Sequence, residues 1–181
     1  MSRSCLAAIM IPVLLFSAGC APLPIASDLT PPLSGSDYRN SNKSLTVGEV
    51  AGKEQKDVTG VVTISVGNDV IRDALVDTLR ASGIFRDVST KPGGDFRLST
   101  QIISQKFDMN TLILLVRYQL VDGASGRNVW AGNILSEKSI GVDEIFSGAE
   151  RTKKLREIVF RDNLTKLAAQ LNGALLAQEQ R

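Results

Sequence analysis

The 181-residue chain has no histidine and only two cysteines, Cys5 and Cys20. Without an imidazole there is no Ser-His-Asp or Cys-His nucleophile, no histidine-bearing metal centre and no imidazole proton shuttle. A strong excess of one charge is also missing. There are 21 basic side chains against 19 acidic ones, and the resulting +2 argues against a dedicated nucleic-acid binder. No Ser-x-x-Lys occurs, and neither Gly93-Gly94 nor the Gly123/Gly126 loop matches a P-loop or GxGxxG. Asp73 and Asp77 are one helical turn apart, as acid/base work would ask, but Arg72 and Arg80 flank them and they read as a solvated face. The single tryptophan, Trp130, reads as core or half-buried rather than as a stacking platform. The expectation is a protein that is not an enzyme and has no cofactor and no metal; Asp-only or Ser-only chemistry is the enzyme class left over. With 43% hydrophobic and 22% charged residues, the chain suits one domain with a real core and is marginal for two.

The N-terminus carries an address. Arg3 precedes an 11-residue apolar stretch over positions 6–16. Such a stretch spans about 16 Å as a helix, well short of the roughly 30 Å hydrocarbon core, so residues 1–19 read as a signal peptide. Ser17-Ala18-Gly19-Cys20 resembles a bacterial lipobox, although Ser17 stands where leucine is usual. That resemblance implies acyl chains on Cys20. Once the signal is removed Cys20 has no cysteine to pair with, which points the same way. By resemblance to enterobacterial sorting, Ala21 implies anchoring in the outer membrane with the domain facing the periplasm.

Residues 20–43 hold four of the six prolines together with many Ser, Asp and Asn. They read as the lipidated cysteine and a flexible, partly polyproline tether, with packing along the domain surface as the alternative. The folded domain spans 44–181. Strands are expected at 44–50, 58–66, 96–107, 112–121 and 128–139, with a short one near 85–89. A helix capped by Asn68 or Asp69 runs to Ser82, burying Ile71, Ala74, Leu75, Thr78 and Leu79 and stopping at Gly83. Two short connections, the second a loop over 122–127 with Gly123 and Gly126, make the last three long strands an antiparallel meander. Residues 112–120 (LILLVRYQL) are apolar on both faces, as an interior strand would be.

The last helix, 149–176, is unusual. With Leu155 at 0°, Ile158 and Val159 fall at about 300° and 40°, whereas Phe160, Leu164, Leu167, Leu171 and Leu175 fall at about 120–200°. Either the helix breaks near Phe160, or one continuous helix carries two apolar faces and leaves one for a partner. Leu155, Val159, Phe160 and Leu164 are therefore the candidate partner-binding residues. The basic run Arg151, Lys153, Lys154, Arg156 and Arg161 reads as a solvated face, with contact to anionic lipid headgroups as the alternative.

Three segments carry a family resemblance: residues 73–85 (DALVDTLRASGIF), residues 95–98 (DFRL) and residues 121–130 (VDGASGRNVW). They are similar to patterns in small periplasmic lipoproteins whose domain resembles the N-terminal domain of TolB. These are the penicillin-binding-protein activators, the auxiliary lipoproteins of lipid-transporting ABC systems and the YajG-like lipoproteins. The resemblance covers about residues 44–140, with Ser125 where threonine is common, and no catalytic motif travels with it. It implies an α+β fold: a single small domain with a mostly antiparallel sheet of four to five strands packed against two helices. The function expected is a lipid-anchored, non-catalytic adaptor or assembly subunit of an outer-membrane or periplasmic complex. The alternative is an accessory of lipid or lipopolysaccharide transport, with residues 112–115 lining an acyl groove. Envelope proteins and the membrane are the expected partners, nucleic acid is not, and edge-to-edge pairing into a homo-oligomer stays open.

Overall fold

In chain order the elements are α1 (Ala26–Leu29), a 3-10 turn (Gly35–Asp37), β1 (Ser44–Ala51), β2 (Asp57–Thr59), β3 (Val62–Ile64), α2 (Asn68–Ser82), β4 (Asp87–Ser89), β5 (Phe96–Asp108), β6 (Thr111–Asp122), β7 (Asn128–Ser139) and α3 (Gly148–Glu179). The structure, a computed structural model, describes residues 23–52, 57–59, 62–64, 66–108, 110–141, 143–145 and 147–180. The expected signal peptide at 1–19 and the expected lipidation site Cys20 lie outside the described residues.

Five strands form one sheet in the order β4-β1-β5-β6-β7. β5, β6 and β7 pair antiparallel as a meander, while β1 runs parallel to both β4 and β5. Period-two alternation puts Leu98, Leu112, Leu114, Val116, Tyr118, Leu120 and Ile134 on one face, all buried. α2 and α3 cover that face, with α2 on β1 and β4 and α3 on β6 and β7. The domain is thus a single small α+β unit of two layers.

α2 buries Ile71, Ala74, Leu75, Thr78 and Leu79, the face its periodicity predicts. Its N-terminus differs from expectation. Gly67 is the cap residue and no side chain caps it, because the helix already starts at Asn68. At the other end Gly83 has φ 66°, the left-handed stop that glycine adopts without a Cβ clash. The expected strand at 58–66 is instead a short hairpin, in which β2 and β3 pair antiparallel with Val58 opposite Thr63.

Residues 24–43 correct the expectation of a free tether, because they pack across α2 and α3. Pro24, Leu29 and Pro31 are buried. The Lys153 ammonium lies 3.7 Å from Asp28 Oδ2. Farther along, the Arg39 amide donates to Asn172 Oδ1 at 3.1 Å and Asn40 Nδ2 donates to the Gly83 carbonyl at 2.9 Å. The segment is apolar at intervals, and two helices lying side by side give those intervals a groove to fill.

α3 is one unbroken helix of 32 residues. Among the described residues no helix is long and apolar enough to cross a membrane. Both of its apolar faces are internal, since β6 and β7 take one side and α1 and α2 pack against the other. The switch near Phe160 therefore needs no kink.

Candidate interaction surface

The expected partner-binding residues are core. Leu155 and Val159 are 0% exposed, Leu164 is 1% and Phe160 is 2%. They are apolar faces as read, but neither face is free, because β6 and β7 cover one side of α3 and α1 and α2 cover the other. The basic run also departs from a uniformly solvated face. Arg156 is buried, Arg151 donates to the Ile145 carbonyl at 3.0 Å, and Lys154 reaches Glu157 Oε2 at 3.1 Å. Asp73 and Asp77 sit on the exposed flank of α2 near Arg72 and Arg80, as read. Among the described residues no group of three or more carboxylates, histidines or cysteines is placed to hold a metal.

A polar network joins α3 to the sheet, and one residue signals it in the sequence. Asn163 falls at about 80° on the helical wheel, inside the apolar arc between Val159 and Leu167. Its Oδ1 accepts from the buried Tyr118 hydroxyl at 2.7 Å. Its Nδ2 donates to the Ile134 carbonyl at 3.0 Å and to Ser136 Oγ at 3.3 Å. Ser136 in turn donates to Asp162 Oδ2 at 2.7 Å, and Lys166 and Lys138 lie 2.6 and 3.0 Å from the same carboxylate. Burial alone would push Asp162 up. Hydrogen bonds from Lys166, Ser136 and Lys138, with the Lys166 charge, outweigh it and hold the carboxyl at about 2, below its usual 3.8. Burial pushes the Tyr118 phenol well above its ordinary value, so it remains a neutral donor.

Asp162 gives a pH prediction. Its folded pKa is depressed, so its contribution, about 2 kcal/mol, is fully present above pH 4. It is lost as pH falls from about 4 towards 2. Urea unfolding of Asp162→Asn at pH 6 and pH 2.5 should show a gap from the parent that narrows sharply at the lower pH. An unchanged gap would mean the carboxylate is not held by these partners.

The segment 121–130 that carries the resemblance is turn chemistry. Asp122 Oδ1 accepts from both the amide and the hydroxyl of Ser125 at 2.7 Å, closing the β6–β7 loop. Those Ser125 hydrogen bonds hold Asp122 below the usual carboxylate range. Gly123 lies so close to the Gly94 carbonyl that a Cβ would not fit. Trp130 is half-buried with its ring against Gly132, and it lines a cavity of about 440 Å³ with Arg127, Ala174 and Gln178.

Among the described residues no helix lies on the opposite face of the sheet. Ile103 is 40% exposed and Leu135 is 54% exposed. Leu115 lies directly opposite Leu135 on β6 and β7, and Ser104, beside Ile103, lies opposite Leu115 on β5. Ile103 is the unpaired residue of a bulge in β5, next to Ser104, and with the Leu115–Leu135 pair it makes an apolar row across three strands. Arg97 and Arg117 stand exposed farther along the same face, where Arg117 Nε donates to Asn133 Oδ1 at 3.2 Å. Residues 112–115 do not line an enclosed groove: Leu112 and Leu114 are core, while Ile113 and Leu115 belong to this open face. The sequence held a signal for the row. Ile103 doubles Ile102 where alternation asks for a polar residue, and Leu135 does the same beside Ile134.

No protein-family model and no curated protein matches the chain. Solved structures do. Protein XCC0632 from Xanthomonas campestris, of family DUF330, is 12% identical with a TM-score of 0.65, over 84% of this chain and 96% of that one. The hypothetical protein CT253 from Chlamydia trachomatis is 9% identical with a TM-score of 0.52, over 74% of this chain and 98% of that one. A minor lipoprotein from Acinetobacter baumannii, at 13% identity over 75% and 94% of the two chains, has a TM-score of 0.43, too loose an overlap to bear on the fold. At these identities the first two likenesses show that the chain shares its α+β fold with them.

Proposed function

We propose that the protein is a lipid-anchored, non-catalytic adaptor or assembly subunit of an outer-membrane or periplasmic complex, acylated on Cys20 and facing the periplasm. In this reading it is one of the small TolB-domain-like lipoproteins, and it meets its protein partner through the open face of the sheet. The observation that carries the partner surface is the row Ile103–Leu115–Leu135. Apolar side chains exposed next to one another on a sheet face mark a surface for protein–protein contact. The anchoring rests on residues 17–20 of the sequence. The chemistry of the face defines the partner: an apolar centre with carboxylates placed for Arg97 and Arg117.

In-cell photo-crosslinking from positions 103 and 135 tests the reading, with position 159 as an interior control. One envelope protein should be trapped from both open-face positions, and Arg97→Glu with Arg117→Glu should lower its yield. Position 159 should give no intermolecular adduct. Silence at 103 and 135, or adducts untouched by the arginine changes, would overturn the open face as the partner surface.

A further inference from the structure

Among the described residues four large apolar side chains are exposed: Ile103 and Leu135 on the open sheet face, and Leu23 and Ile25 at the start of the segment before α1. The second pair has a different location and calls for a different occupant. Leu23 is 58% exposed and Ile25 is 60% exposed, yet the chain around them is pinned to the domain. Pro24 is buried. The Ile25 amide donates to Asp28 Oδ2 at 3.2 Å, and that same oxygen lies 3.7 Å from the Lys153 ammonium in the first turns of α3.

We propose that Leu23 and Ile25 form a membrane-docking patch, and that the domain rests on the bilayer by its α1 end instead of standing off on a tether. The proposal rests on the acylation of Cys20 argued above. From Cys20 to Pro24 the chain spans four residues, a reach of at most about 14 Å. A lipid anchor at Cys20 therefore holds the α1 end within that distance of the headgroups. Two exposed apolar side chains at that end then meet the interface, where burial of apolar area adds to the acyl chains.

The contact is apolar rather than electrostatic. Lys153, paired with Asp28 beside the patch, and its neighbour Lys154 are matched by carboxylates: 3.7 Å for Lys153 to Asp28, 3.7 Å for Lys153 to Glu157 and 3.1 Å for Lys154 to Glu157. Docking should accordingly need no anionic lipid and should survive high salt. The far end of the domain, with the 123–127 loop and the last turns of α3, lies about 39 Å away along the helix axis from Lys153 to Glu179.

The test uses the full acylated protein in vesicles of phosphatidylethanolamine and phosphatidylcholine, with and without phosphatidylglycerol. Signal removal and acylation leave no free native thiol, so a single introduced cysteine at Ser27→Cys or Ala124→Cys takes a fluorescent label. Energy transfer to a headgroup acceptor should be several-fold stronger from position 27 than from position 124, equally so with and without phosphatidylglycerol. Adding Leu23→Ser and Ile25→Ser, both exposed and dispensable to the core, should reduce the transfer from position 27 while the protein still floats with the vesicles. Equal transfer from both labels, or no effect of the double change, on protein that floats and carries acyl mass on Cys20 overturns the docking patch alone. Protein that carries no acyl mass and fails to float overturns the anchoring and the docking patch together.

Discussion

Leu29→Ala is expected to destabilise the domain by about 2–5 kcal/mol. Leu29 is fully buried in α1, which packs on both α2 and α3. Truncation removes its transfer free energy and leaves a cavity that two helices and a short turn can close only in part. A solvated tether would give no measurable change at this position, so the variant separates the two arrangements of residues 24–43. Urea unfolding of the mature domain measures it, with Ser27→Ala as the exposed neighbour expected to stay within about 0.5 kcal/mol of the parent. A Leu29→Ala midpoint equal to that of the parent would return the segment to solvent.

Asn163→Leu should cost about 3–5 kcal/mol, although it keeps the volume and adds apolar surface. It strips the Tyr118 hydroxyl of its acceptor and takes a donor from both the Ile134 carbonyl and Ser136. Each buried group left unsatisfied costs about 1–3 kcal/mol. Tyr118→Phe alone removes one donor and should cost less, about 1–2 kcal/mol. The double variant Tyr118→Phe with Asn163→Leu should be more stable than the sum of the two predicts, because the phenol no longer needs an acceptor. A double-mutant cycle on thermal or urea unfolding reads this coupling. Strict additivity would mean that the two side chains do not depend on each other.

The meander was legible because its signals are local. Alternation with period two and the glycines of the 91–94 and 123–126 turns place β5, β6 and β7 within about one residue of their observed ends. Gly83 stops α2 for an equally local reason. What was not legible depends on a second surface. The prolines of residues 24–43 read as solvated until α2 and α3 provide a groove for Pro24, Leu29 and Pro31. The second face of α3 is not free either, because α1 and α2 pack against the helix as well as β6 and β7. The apolar row had a faint signal in the Ile102-Ile103 and Ile134-Leu135 doublets, but only the strand register pairs Leu115 with Leu135, and only the bulge in β5 sets Ile103 beside them.

The clasp between the start and the end of the folded chain governs the order in which the protein can be made. The amide of Arg39 meets the side chain of Asn172 across 133 positions of sequence, and closing a contact of that span is slow and comes late. A chain emerging N-terminus first has no α3 for its leading residues to lie on. Those residues therefore stay uncovered while the rest of the chain follows. The strap closes once the last helix has arrived, so the first residues of the domain are among the last to reach their places.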